Sequence, residues 1–342
     1  MDIDLERGWR GPTIAEIARA SGVGTATVDR VLNGRDGVRE VTRKKVLAAL
    51  AELGGRVEAK SGEALRRIAF LTDSGMSFNR TLEEAVHQYC SADQSIECPF
   101  TAVTTAQVEP VKFAQMIERA ADDADGLVVV AREDLIINRA MRNVAQRGVP
   151  VVCLTTDLPN SGRIAYIGSD QASAGATAAY LMGPVVGQRQ GKILLVYSAP
   201  YRCQEEREIG FRRVLRSEFA HLEIDERVNS HDDTDYVYRN VIKYIEDHGA
   251  PIGIYNVAGG NLGIGRVLQD RGLGGKVSFI GHELNANSRM LLESGLMHFT
   301  IGHDVDREVT QSIEYISALL NKRPLPAPAP TRVRIFTKYN CL

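Results

Sequence analysis

The sequence lacks any apolar run of about 18 residues, so no segment reads as a membrane-spanning helix. Cysteine is scarce, with five residues at 90, 98, 153, 203 and 341. An odd number with no CxxC pair argues against a disulfide framework or a zinc site, and for a reducing compartment. The opening MDIDLERGWRGP has no apolar stretch of the kind a secretory signal needs, so the expected location is the cytoplasm. Catalytic signatures are missing as well: there is no GxxxxGK[ST], no HExxH and no GxSxG. GGNLGIG at 259–265 lacks the GxGxxG spacing, and its first glycine pair reads as room for close backbone packing. The seven histidines are scattered, and Asp232-Asp233 reads as a solvated loop. No enzymatic activity, cofactor or metal is therefore expected.

What is present fits a globular chain. Of 342 residues, 44% are hydrophobic and 25% charged, enough to bury a sizeable core. The net charge of −2 conceals an uneven distribution. From Arg10 to Lys60 there are ten bases and six acids, so a basic head precedes an acidic body, as suits a segment that meets phosphate. Three parts follow. Residues 10–54 hold short helical patterns, and residues 55–66 are a glycine-bearing linker. Residues 67–342 alternate short apolar strands (67–72, 98–103, 126–130, 149–154, 192–197, 251–256, 276–281, 298–301 and, after the Pro-rich 324–330, 331–336) with amphipathic helices. Buried strands alternating with helices indicate parallel sheets, and there are too many units for one.

In the head, Ile14, Ile17 and Ala18 share a helix face, with Thr13 and Glu16 spaced as a capping box and Gly22 placed to end the helix. A second helix near 25–33 carries Val28, Val31 and Leu32 on one face and Ala26, Arg30 and Asn33 on another. A third carries Val46, Leu47, Leu50 and Leu53. This is a helix-turn-helix pattern, whose second helix enters the major groove. The segment from PTIAEIARASGV through TATVDRVLNGRDGVREVTRKKVLAALAELG resembles the LacI/GalR headpiece over its whole length. The resemblance implies that Thr25, Ala26 and Arg30 read bases, Arg30 through guanine O6 and N7. It implies that Thr13, Thr27, Asn33 and Thr42 contact phosphates, with Arg39 near the backbone. Gly24, Asp29 and Arg39 depart from the pattern; Asp29 either accepts from cytosine or pairs with a neighbouring arginine. The N-A-x-A-x-x-L pattern of a minor-groove hinge helix is missing from the linker.

The remainder resembles the sensor of the same regulators. That implies an α/β, two-lobed type I periplasmic-binding-protein-like fold, two parallel doubly wound sheets, with the all-α helix-turn-helix domain in front. The first lobe is placed at about 67–164 and 300–323, the second at about 165–299 and 324–342, with 163–170 as a passage between them. Ligands sit beyond the carboxyl ends of parallel strands. The loops there nominate Ser74, Phe78, Asn79, Arg132, Asp157, Arg207, Asn256, Glu283 and His303, with Arg207 in the family element R-x-x-G-F. Asp170 and Gln171 read as helix caps, and Tyr201 and Cys203 as neighbours of the pocket. The expected function is a transcriptional regulator, a repressor acting as a homodimer on double-stranded operator DNA. Its effector would be a small sugar-like molecule: a monosaccharide, a polyol or, given two arginines, an acidic sugar derivative. The competing readings are a cytoplasmic sugar-binding protein and a sugar-processing enzyme.

Overall fold

The computed structural model describes residues 13–32, 37–52, 65–326 and 330–341. The chain divides into two compact units, Met1–Arg66 and Arg67–Leu342.

The first unit contains three helices, α1 (Ile14–Ser21), α2 (Thr25–Leu32) and α3 (Glu40–Glu52). The expected capping box is present. Thr13 Oγ1 accepts from the Glu16 amide at 3.3 Å, and Glu16 Oε2 accepts from the Thr13 amide at 2.7 Å. The Thr13 amide and hydroxyl, both donating to that carboxylate, hold it below its ordinary range. Gly22 ends α1 at φ 67°, a left-handed conformation that glycine adopts without strain. Ile17, Val28, Val31, Val46 and Leu50 form the interior. Ile14 turns outward at 40% exposure, although the helical period places it beside Ile17. Asn33, Leu53 and linker residues 55–64 lie outside the described residues.

The second unit has two lobes. The first lobe's sheet comprises β1 (Arg66–Ser74), β2 (Ile96–Glu97), β3 (Phe100–Thr104), β4 (Gly126–Val130), β5 (Val151–Leu154) and β6 (Ala165–Ile167). Its order is β2-β1-β4-β5-β6, with β3 also on β1. Helices α4 (Met76–Ala92), α5 (Pro110–Asp123) and α6 (Leu135–Gln146) belong to this lobe. The all-buried GLVVV of β4 shows why the sheet is central: both faces are covered by helices, so no polar alternation is needed.

The second lobe opens with α7 (Gln171–Val186), β7 (Lys192–Tyr197), α8 (Arg202–Glu218) and β8 (Glu223–Asn229). Then come α9 (Thr234–His248), β9 (Gly253–Asn256), α10 (Asn261–Asp270), β10 (Ser278–His282), α11 (Ala286–Glu293) and β11 (Phe299–Gly302). After α12 (Val305–Leu320), β12 (Arg334–Phe336) closes the sheet, whose order is β12-β11-β10-β9-β7-β8. All its pairings are parallel except β11–β12.

Helix α12 returns to the first lobe, where Val309, Ile313 and Ile316 join the cluster containing Phe70 and Leu82. The chain therefore passes between lobes three times, near 168–170, near 303–304 and before β12. A bridge between Ser169 and Thr331 sets the first and third passages side by side.

Three sequence expectations need correction. Strand β6 pairs with β5, so the first lobe runs to Ile167 rather than 164. Strand β11 pairs with β10, so the return to the first lobe begins after Gly302 rather than at 300. Strand β8, with the sequence EIDERVN, was not anticipated. It is an edge strand with one partner, so its sequence need not carry the apolar run that marks a doubly covered strand.

Candidate functional site

On α2, Val28 and Val31 are buried, and Ala26 and Arg30 stand exposed on the opposite side of the helix. Thr25, Thr13 and Arg39 are also exposed, and Thr27 and Thr42 are half-buried. A short helix whose apolar side is spent on the interior leaves its other side free for a partner.

A cavity of about 320 Å³ lies in the second unit, between the lobes. That falls at the lower end of the range for small-molecule sites, so it suits one small molecule. Ser74 and Phe78, from the end of β1 and the start of α4, form part of its first-lobe wall together with Thr155 and Thr156. Thr155 holds φ 63°, a costly conformation for a β-branched residue.

The opposite wall centres on Arg207. Helix α8 packs directly on α7 because two glycines allow it. A methyl group on Gly175 would lie 1.8 Å from the Arg207 carbonyl oxygen, and one on Gly210 would lie 1.9 Å from that of Ala172. The R-x-x-G-F element thus has a physical meaning. Gly210 lets the helices touch, Phe211 stacks on Tyr255 with centroids 4.1 Å apart, and Arg207 is carried into the cleft. Its Nε donates to Gln171 Oε1 at 2.8 Å and its Nη1 to the Val257 carbonyl at 2.9 Å. Its Nη2 stands 3.9 Å from Glu283 Oε1.

Glu283 follows β10 at φ 71°, and Ser288 Oγ donates to its carbonyl at 2.7 Å. Beside it, His282 meets the Tyr255 hydroxyl at 2.9 Å. Burial, then the charges of Arg207 and His303, push His282 well below its ordinary range, so it is neutral. Asp232 completes this wall in a left-handed conformation, φ 54°. Its Oδ1 accepts from the Gly259 amide at 2.6 Å, an approach that a side chain at 259 would obstruct. Burial raises the Asp232 carboxyl.

Residues 68–324 match the family described as periplasmic binding protein domain. The chain belongs to that family. Within the periplasmic-binding-protein unit, solved structures share the fold. A solute-binding protein from Agrobacterium vitis with bound D-fucose is 20% identical with a TM-score of 0.74, covering 80% of this chain and 96% of that one. One from Burkholderia graminis in complex with D-arabinose is 20% identical with a TM-score of 0.73, covering 80% and 96%.

Residues 13–54 match the family described as bacterial regulatory proteins, lacI family, and are a helix-turn-helix domain of that type. In that region the chain is 58% identical over 41 residues to the transcriptional regulator MalR of Streptomyces coelicolor, 12% of each chain. It is 46% identical over 54 residues to TreR of Escherichia coli, 16% of this chain and 17% of that one. The chain thus spans about an eighth to a sixth of the length of the curated relatives it matches.

Of the nine nominated ligand residues of the periplasmic-binding-protein unit, Ser74, Phe78, Arg207 and Glu283 line the cavity. The other five do not, because each is engaged elsewhere. Asn79 accepts from Thr72 Oγ1 at 2.6 Å and donates to the Ser74 carbonyl at 2.9 Å, which fixes the β1–α4 turn. Arg132 forks onto Asp73, Nε to Oδ2 at 2.5 Å and Nη2 to Oδ1 at 2.8 Å. Asp157 is paired with Arg163. Asn256 ties the β9–α10 turn, donating to the Gly259 carbonyl at 3.1 Å and to Asn261 Oδ1 at 2.7 Å. His303 is buried behind Glu283, its Nδ1 2.9 Å from Glu308 Oε1.

Sequence reasoning passed over Asp232, which is not in a solvated loop; its neighbour Asp233 caps α9 through the Tyr236 amide. It also missed Thr155, Thr156 and Gln204 as lining residues, whereas Tyr201, Cys203 and Asn261, which follows Asn256 in the next turn, line the cavity as anticipated. Asp170 caps α7 through the Ser173 amide at 2.9 Å. Gln171 does more than cap, since it joins Arg207 to the Thr155 carbonyl. The glycine pair at 259–260 does serve close packing, against Asp232 and Val237.

Proposed function

We propose that the protein is a sequence-specific transcriptional repressor of the lacI type, whose affinity for operator DNA is set by one small polyhydroxy molecule held between its lobes. In this reading it acts as a homodimer in the cytoplasm and catalyses nothing. The observation that carries it is the joint presence, in one chain, of a lacI-type helix-turn-helix with Ala26 and Arg30 outward and of a periplasmic-binding-protein cleft. Thr25, Ala26 and Arg30 would read bases, while Thr13, Thr27, Asn33, Arg39 and Thr42 would hold the phosphate backbone.

In the cleft, Arg207 donates to ligand hydroxyls, Glu283 accepts from them, and Phe78 offers an apolar face. The ligand is a neutral monosaccharide or polyol. Of the two arginines that left an acidic derivative open, Arg132 is committed to Asp73 away from the wall, and Arg207 already faces Glu283. The sugars named in the two solved structures point to the same class.

The test is a gel shift with the DNA upstream of the protein's own gene, with and without a panel of monosaccharides and polyols. Intact protein shifts the DNA, a cognate sugar changes the affinity, and Arg30→Ala weakens binding by about 5- to 150-fold, the worth of one good base contact. No shift at low salt under any of these conditions refutes the reading.

A further inference from the structure

We infer that Tyr201 and Asp232 are positioning residues of the ligand site, which bind across the cleft and hold it assembled before any ligand arrives. Both belong to the second lobe. Tyr201 precedes α8, and Asp232 follows β8. Their partners, Asp73 at the end of β1 and Thr105 after β3, belong to the first lobe. Tyr201 Oη donates to Asp73 Oδ1 at 2.7 Å and lies 3.0 Å from Thr105 Oγ1. Thr105 Oγ1 in turn lies 2.6 Å from Asp232 Oδ2. Two backbone donors cross the same gap: the Glu133 amide to the Pro200 carbonyl at 2.9 Å, and the Cys203 amide to Thr156 Oγ1 at 3.3 Å.

Counting protons shows how the chain is polarised. Each hydroxyl owns one hydrogen. If Asp232 is ionised, Thr105 spends its hydrogen on Asp232 and Tyr201 spends its own on Asp73. The Thr105–Tyr201 contact at 3.0 Å is then left with none. If Asp232 carries a proton on Oδ2, every link is filled: Asp232 donates to Thr105, Thr105 to Tyr201, and Tyr201 to Asp73, which Arg132 neutralises. Oδ1 stays free to accept from Gly259. Burial of Asp232, and the repulsion of Glu283 across the cavity, favour the same protonated form. Asparagine at 232 reproduces this pattern, since its amide donates to Thr105 while its oxygen accepts from Gly259. Alanine cannot.

The test needs no ligand. A double-mutant cycle of Thr105→Val with Tyr201→Phe is measured by urea unfolding of the full-length protein. If the residues touch in the free protein, the two changes are non-additive by at least about twofold in the unfolding constant. Asp232→Asn, whose amide still donates to Thr105, destabilises the protein less than Asp232→Ala, which leaves that link across the cleft empty. Additive changes in the wild-type background overturn the inference, as does an Asp232→Asn variant that behaves like Asp232→Ala. A second measurement guards against variants that fold poorly. Small-angle scattering of the ligand-free protein gives a larger radius of gyration for Tyr201→Phe/Asp232→Ala than for wild type. Equal radii overturn the inference.

Discussion

His303 offers a stability switch whose size can be worked out. It lies in the second passage between lobes, only 5% exposed, with Nδ1 2.9 Å from Glu308 Oε1 and Nε2 3.9 Å from Glu283 Oε1. The Phe78 ring lies 6.2 Å away, and neutral His282 and cationic Arg207 occupy the far side of Glu283. Burial alone would expel the proton, but Glu308 and Glu283 outweigh it and hold the imidazole protonated up to about 10. Since this lies above the ordinary 6.5, the stabilisation is complete below 6.5 and is lost as pH rises towards 10. At about 1.4 kcal/mol per pH unit, about 2–3 kcal/mol should disappear between pH 7 and pH 9. The assay is urea unfolding of wild type and His303→Gln at both pH values. Glutamine can still donate to a carboxylate but does not titrate, and the other groups that titrate in this window cancel between the two proteins. Wild type is expected to lose about 2–3 kcal/mol more than the variant. Parallel losses would refute the charged-histidine account.

Two further outcomes follow from packing. Gly210→Ala forces a methyl group onto the Ala172 carbonyl, so α8 must move off α7 and carry Arg207 with it. A loss of about 1–3 kcal/mol in a thermal melt, together with loss of sugar binding in calorimetry, is expected. Val28→Ala hollows the small interior beside Ile17 and Val46, and should cost about 2 kcal/mol in a unit with little to spare. Gel-shift affinity should then fall at 37 °C, while sugar binding by the second unit persists.

The head was legible because its signals are local. A capping box spans three residues, and a left-handed glycine ends a helix within the same turn. The alternation of strands and helices was equally plain where strands are covered on both faces, as at β4 and β5. It failed at β6, three residues long, and at the edge strand β8. The cleft was half legible. Arg207 and Glu283 could be placed because they follow recognisable elements. Arg132 looked equally eligible from its position after a strand, yet its partner Asp73 is 59 residues away, and nothing local announces that the guanidinium is already occupied. Asp232 was misjudged for the converse reason. Paired acids after a strand resemble solvent-facing residues, and only the arrival of Thr105 from 127 positions away makes one of them part of a wall.

The same long-range pairs indicate how a ligand could be felt beyond the cleft. Arg207 bonds to Gln171, whose amide also reaches Ser169 Oγ at 3.3 Å in the first passage between lobes. Glu283 faces His303 in the second passage, and His303 faces Glu308. Glu308 accepts from Thr331 in the third. Each of the two charged groups proposed to hold the ligand is thus one or two contacts from a hinge. A ligand that takes Glu283 as an acceptor competes with His303 for its charge, and one that takes Arg207 competes with Gln171. Ligand affinity must therefore depend on the hinge arrangement, and by linkage the hinge arrangement must depend on the ligand. Stability near His303 and sugar affinity should accordingly respond together when Glu308→Gln removes the carboxylate that ties the second passage to the third. If sugar affinity is unchanged in a Glu308→Gln variant that has lost the pH-dependent stability, the cleft and the hinge are not coupled through this route.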